Sequence, residues 1–139
     1  MPKTGPIIII EDDQEDQELL QDVLNALGVS NQLQFFNTAD NVIDFLSSTR
    51  VHPFLVLCDI NMPGINGLEL RKTINKDAYI RNKSIPFVFY TTGSSKENVS
   101  KAYEMMVQGF FEKADKMDEM KKQLKVIIDY WKLCLHPNS

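Results

Sequence analysis

The sequence predicts an α/β protein: a doubly wound sheet of five parallel strands with helices on both faces. Two observations predict it. Short apolar runs without polar alternation take turns with stretches whose apolar residues recur at helical spacing. Four of those runs also stop at an acid, a hydroxyl or a lysine. Five strand–helix repeats imply βαβ units, and right-handed crossovers then place helices on both faces.

The elements follow in order. Ile7–Ile10 is a β-branched run suited to a strand covered on both faces. Leu19, Leu20, Val23, Leu24 and Leu27 mark the first helix, stopped by Gly28. Leu33–Phe36 is the second strand. Asn37 or Thr38 caps a helix with the stripe Val42, Ile43, Phe45 and Leu46. Phe54–Cys58 is the third strand, and Pro63 and Gly64 break the chain before a helix through Leu68, Leu70 and Ile74. The polar stretch Asp77–Ser84 extends or follows that helix. Ile85–Tyr90 is the fourth strand; Val99, Ala102, Tyr103 and Met106 mark the fourth helix. Gly109–Glu112 is the fifth strand. Met117, Met120, Leu124, Ile127, Ile128 and Trp131 form the stripe of the last helix, with Asp115 as its expected N-cap and its lysines, Lys116 to Lys132, as its wet face.

Composition narrows the function. A chain of 139 residues with 43% apolar and 24% charged residues is one domain's worth of ordinary globular sequence. A net charge of −4 argues against a nucleic-acid surface. Cys58 and Cys134 belong to no metal-binding spacing, so a zinc site and a disulfide are both disfavoured, and a reducing cytoplasm is expected. No apolar stretch approaches the ~18 residues of a membrane span. His52 and His136, in loop and tail contexts, are read as structural or solvent-facing.

The chemistry lies in what ends the strands. The first runs into Glu11-Asp12-Asp13, the third into Asp59, the fourth into Thr91 and the fifth into Lys113. In an open α/β sheet, ligands bind outside the carboxyl ends of the strands. Clustered carboxylates repel one another unless a cation compensates, and an all-oxygen set suits Mg2+, or Mn2+ in its place. One carboxylate can act as a nucleophile toward phosphorus, with a lysine offsetting charge on the phosphoryl oxygens. Each residue alone has a blander reading. An acid run is usually a helix start, and Asp13 is read as a surface or helix-start acid. A strand-end threonine or lysine is usually just solvated, and Asn61-Met62-Pro63-Gly64 is an ordinary turn. The joint pattern carries the assignment.

From about Gly5 to Leu135 the chain resembles the response-regulator receiver family of phosphorelay signalling. The carrying segments are IIIIEDD, LVLCDINMPGINGLEL, IPFVFYTTG and GFFEK. The resemblance implies a flavodoxin-like fold with strand order 2-1-3-4-5. It implies one receiver domain over residues 5–135, a short tail over 136–139 and no effector domain. It makes Asp59 the phosphoacceptor and a metal ligand, Glu11 and Asp12 the metal-site acids, and the Asn61 backbone carbonyl a further ligand. Thr91 would contact the phosphoryl group, Lys113 would pair with it, and Thr91 with Phe110 would form the switch. The implied donor is a histidine kinase or phosphotransfer protein. The output would be a protein partner, or a second copy, on the face of the fourth helix, fifth strand and fifth helix, roughly Ser95 to Leu135; neither nucleic acid nor membrane is implied. Such a protein is a signalling phosphoacceptor rather than a turnover enzyme.

Departures from the family pattern matter. Lys113-Ala114 stands where many receivers have Lys-Pro, and a cis bond there would cost ~3 kcal/mol, so a trans bond is expected. Phe110 brings no hydroxyl to the switch position. Thr92 replaces the usual small residue after the strand-four hydroxyl, and Gly93 follows, leaving room for water near the acyl phosphate. Two other functions compete. A haloacid-dehalogenase-type phosphatase also uses a strand-end aspartate, but wants an acid where Asn61 stands. A phosphate-independent receiver-like binding module would typically lack one of the acids or the lysine.

Overall fold

The computed structural model describes residues 2–138. After a 3-10 turn at Pro2–Thr4, the chain runs β1 (Ile7–Ile10), α1 (Gln14–Ala26), β2 (Leu33–Phe36), α2 (Ala39–Ser48), β3 (Leu55–Cys58) and α3 (Gly67–Lys76). It continues through α4 (Ala78–Asn82), β4 (Phe87–Thr91), α5 (Lys96–Glu104), β5 (Gly109–Glu112) and α6 (Met117–Leu133). The five strands are parallel in the order β2-β1-β3-β4-β5, as expected. No peptide bond among the described residues is cis, so Lys113-Ala114 is trans.

The unbroken apolar runs have a physical reason. Alternate residues of a strand point to opposite faces, and both faces of this sheet are covered. Ile7, Ile9, Leu55, Leu57, Val88 and Tyr90 pack under α1 and α6. Ile8, Ile10, Val56, Cys58, Phe87 and Phe89 pack under α2, α3, α4 and α5. The edge strands β2 and β5 are only half-buried for most of their length.

Local chemistry starts the helices. Asp13 Oδ1 accepts from the amides of Glu15 (2.8 Å) and Asp16 (3.1 Å), capping α1 as a helix-start acid. Thr38 caps α2, Ser95 caps α5, and Asn66 with Glu69 forms a reciprocal capping box on α3.

Several expectations are corrected. The polar stretch after α3 contains a sixth helix, α4, and Asp77 serves both as C-cap of α3 and as N-cap of α4. Lys116, not Asp115, is the N-cap of α6, and it makes no side-chain cap bond. Gln123 does the tethering there: its Oε1 accepts from the Ala114 amide (3.1 Å) and its Nε2 donates to the Glu112 carbonyl (2.7 Å). Lys132 is not on the wet face, because it reaches across to the Lys3 carbonyl and Asn31 Oδ1. Tyr103, Met106 and Met117 do not join the core stripes. They stand 50, 72 and 54% exposed; Met106 falls beyond the end of α5, and Met117 is the first residue of α6. Of the two readings for His136, the structural one holds: it is buried, its Nε2 donates to the Phe54 carbonyl (2.8 Å) and its Nδ1 accepts from the Asn138 amide (3.2 Å).

Candidate functional site

The strand ends converge as their sequence order requires. β1 and β3 are hydrogen-bonded neighbours in register Ile10↔Cys58, so the residues that follow, Glu11 and Asp59, emerge side by side. β4 and β5 pair Thr91 with Glu112, which puts Lys113 one residue further along the same edge. The Asp59 amide donates to the Ile10 carbonyl (2.9 Å), and the Lys113 amide donates to the Thr91 carbonyl (2.8 Å).

Glu11, Asp12 and Asp59 each place a carboxylate oxygen within 4.8 Å of the other two. Glu11 and Asp59 are buried, while Asp12 is exposed. The three carboxylates, two of them poorly hydrated, fit a hard divalent cation that binds through oxygen. Burial pushes the Glu11 carboxyl from its ordinary 4.5 up to about 7; Lys113 opposes the rise, and the Asp59 charge adds to it.

Asp59 has two distinct oxygens. Its Oδ1 accepts from the Thr91 hydroxyl (2.5 Å) and from the Asn61 amide (3.2 Å). Its Oδ2 accepts no hydrogen bond among the described residues. Since no fully buried side-chain oxygen lacks a partner, Oδ2 retains some exposure. A carboxylate held by one oxygen with the other accessible is oriented for nucleophilic attack. The Asn61 side chain donates to the Thr92 carbonyl (2.9 Å), tying the β3 loop to the β4 loop.

Lys113 donates to Glu11 and lies 3.5 Å from Asp16 Oδ2. Burial works against its charge. The Glu11 hydrogen bond and the charges of Glu11, Asp59 and Asp16 outweigh that and raise its pKa. Phe110 is half-buried, its ring 5.7 Å from that of Phe89.

Two residues of the site escaped sequence reasoning. Asp16, an acid in the first turn of α1 that reads as part of a solvated helix start, faces Lys113. Gly67 lets α3 close onto the loop that follows β3: a Cβ there would stand 2.5 Å from the Asp59 carbonyl oxygen and 2.9 Å from Ile60 Cα. No sequence signal pointed to Asp16. The capping-box pattern Asn66-x-x-Glu69 could have located the helix start at Gly67.

The chain is similar to known proteins of this architecture. Residues 7–125 match the model of the response regulator receiver domain. A probable methanogenesis regulatory protein, FilR2, of Methanothrix harundinacea is 25% identical over 129 residues, covering 90% of this chain and 82% of its own length. Response regulator Rcp1 of Synechocystis is 26% identical over 130 residues, covering 90% of this chain and 87% of its own. The crystal structure of the Mn2+-bound form of Rcp1 superposes with a TM-score of 0.81 at 25% identity, over 95% of this chain and 98% of that one. With the family matched over most of its length and the sheet order shared, this chain belongs to the response regulator receiver domains of two-component signalling.

Proposed function

We propose that Asp59 accepts a phosphoryl group from a phosphohistidine on a kinase or phosphotransfer protein, in a reaction that requires Mg2+ or Mn2+. The observation that carries this is the asymmetry of Asp59, held at Oδ1 by Thr91 and Asn61 and open at Oδ2, beside Glu11 and Asp12. Oδ2 attacks phosphorus as the bond to the histidine nitrogen breaks. Glu11, Asp12, Asp59 and the Asn61 carbonyl would hold the metal, which neutralises charge on the transferred phosphoryl oxygens. Thr91 orients the carboxylate and can donate to a phosphoryl oxygen once Oδ1 releases it. Lys113 is the nearby cation that can turn from Glu11 to the phosphoryl group.

The output is a protein contact on α5, β5 and α6, made inside the cytoplasm. A cavity of about 350 Å³ lies there, lined by Tyr103, Phe110, Phe111, Val126, Tyr130 and Trp131. Phe110 belongs both to this lining and to the packing against Phe89 in β4, so a change at Thr91 has a short route to the surface. Among the described residues no helix is long and apolar enough to cross a membrane.

The test is mass measurement of the full chain after incubation with acetyl phosphate and Mg2+. Wild type should gain one phosphoryl group, and Asp59→Ala should gain none. Equal modification of the variant would overturn the assignment. Sustained hydrolysis of a generic phosphomonoester would instead favour a phosphatase.

A further inference from the structure

A second cavity lies at the opposite edge of the sheet. It has a volume of about 480 Å³, within the ~300–1,000 Å³ typical of small-molecule sites. Val56 and Phe87, at the amino ends of β3 and β4, form part of its floor, whereas Asp59 and Thr91 lie at the carboxyl ends of the same strands. It shares no residue with the phosphoacceptor site.

Its chemistry is one-sided. Two arginines, Arg71 and Arg81, line it, and no aspartate or glutamate does, in a chain with 19 acids and a net charge of −4. Among the described residues neither arginine is ion-paired. Arg71 is nine-tenths buried, and its guanidinium lies 5.0 Å above the Phe87 ring centroid. Its Nε and Nη2 donate to the carbonyls of Met105 (3.1 Å) and Met106 (3.0 Å). That uses one edge of the planar fork to close the end of α5. Nη1 makes no hydrogen bond among the described residues, and since no fully buried nitrogen is left unpaired it retains some exposure. A buried cation without a counter-charge is costly, and a bound anion would relieve that cost. Much of the remaining wall is apolar, including Ile74 and Phe87.

The backbone around the cavity is also unusual. Ser84 (φ 52°) and Met106 (φ 65°) are the non-glycine residues with positive φ among those described, and both line it. Strained backbone of this kind gathers at ligand-binding positions.

We propose that this cavity binds a small organic anion: a carboxylate that the two guanidiniums receive, on an apolar body that packs against Phe87 and Ile74. The site is separate from phosphoryl transfer, so it stands or falls independently of the role of Asp59.

The test is a two-dimensional amide NMR titration of the full chain with sodium phenylacetate at constant ionic strength, with 2-phenylethanol as the neutral counterpart. Phenylacetate should give saturable shifts clustered on the cavity and bind at least about tenfold more tightly than the alcohol. Arg81→Gln, at an exposed position, should leave the rest of the spectrum unchanged and weaken phenylacetate about tenfold. Three results would each overturn the proposal: no saturable shifts up to about 10 mM phenylacetate, equal affinity for the alcohol, or unchanged affinity in Arg81→Gln.

Discussion

Lys113 is hydrogen-bonded to Glu11 across 102 residues of chain, with side chains only 5 and 2% exposed. Glu11 also belongs to the three-carboxylate cluster, so one carboxylate faces both a lysine and the place a metal would occupy. The two cations compete for it. Removing Lys113 leaves a buried acid without its partner, a change that costs about 3 kcal/mol in comparable buried pairs. Lys113→Ala is therefore expected to lose stability on that scale in urea without metal and to regain part of it in Mg2+. It should bind Mg2+ more tightly than wild type while accepting phosphate from acetyl phosphate more slowly. Weaker Mg2+ binding by the variant would contradict the competition.

The raised Glu11 pKa gives a pH dependence with a definite sign. The folded value, about 7, lies above the ordinary 4.5 of the unfolded chain. The folded state therefore holds this proton where the unfolded state has lost it. The resulting stability is fully present below the unfolded value and is lost as pH rises through about 7. Metal binding requires the carboxylate and runs the other way. Mg2+ affinity should fall below about pH 7, by up to about tenfold per unit, with release of about one proton per metal bound. Calorimetry in buffers of different ionisation enthalpy measures that proton. Glu11→Gln should bind more weakly and show a flatter profile through this range.

Gly67 should tolerate no side chain. The nearest obstacle to a Cβ is backbone, the Asp59 carbonyl oxygen at 2.5 Å, and backbone yields only if α3 moves. The Gly67 amide also donates to the Ile60 carbonyl (3.0 Å), so a shift of α3 pulls on the loop that carries Asp59. Gly67→Ala is expected to lose about 2 kcal/mol by urea denaturation and to slow phosphorylation of Asp59. A variant as stable as wild type, with unchanged kinetics, would show that α3 is not seated as described.

The fold was legible because both faces of the sheet are buried, which forces unbroken apolar runs at β1, β3 and β4. The site was legible because chemical residues end those runs. What the sequence hid depends on distant partners. Asp16 looks like any acid in a first helical turn until α1 is packed beside Lys113. Arg71 falls in a polar stretch of α3 and is buried because the end of α5 supplies carbonyls to it. His136, three residues before the last, is held by the Phe54 carbonyl 82 residues away. The start of α6 is likewise held from a distance: no side chain caps it, and Gln123 instead ties the preceding segment through the Ala114 amide and the Glu112 carbonyl.

Gly93 joins two requirements that one substitution can separate. Its φ is +65°, a conformation that favours glycine, and nothing stands within 4 Å of where a Cβ would be. The first property concerns the backbone; the second leaves open space that, on the proposed function, water could use to reach the acyl phosphate. Gly93→Asn suits the left-handed conformation better than most residues and adds little bulk, so it should change neither stability nor phosphate lifetime much. Gly93→Arg should cost about 1 kcal/mol through backbone strain and place a long cationic side chain near the acyl phosphate. If open space there admits the attacking water, the arginine variant should hold its phosphate several times longer than both wild type and the asparagine variant, read as decay of the phosphorylated mass after the donor is removed. Equal lifetimes in all three proteins would leave glycine at position 93 with a backbone role alone.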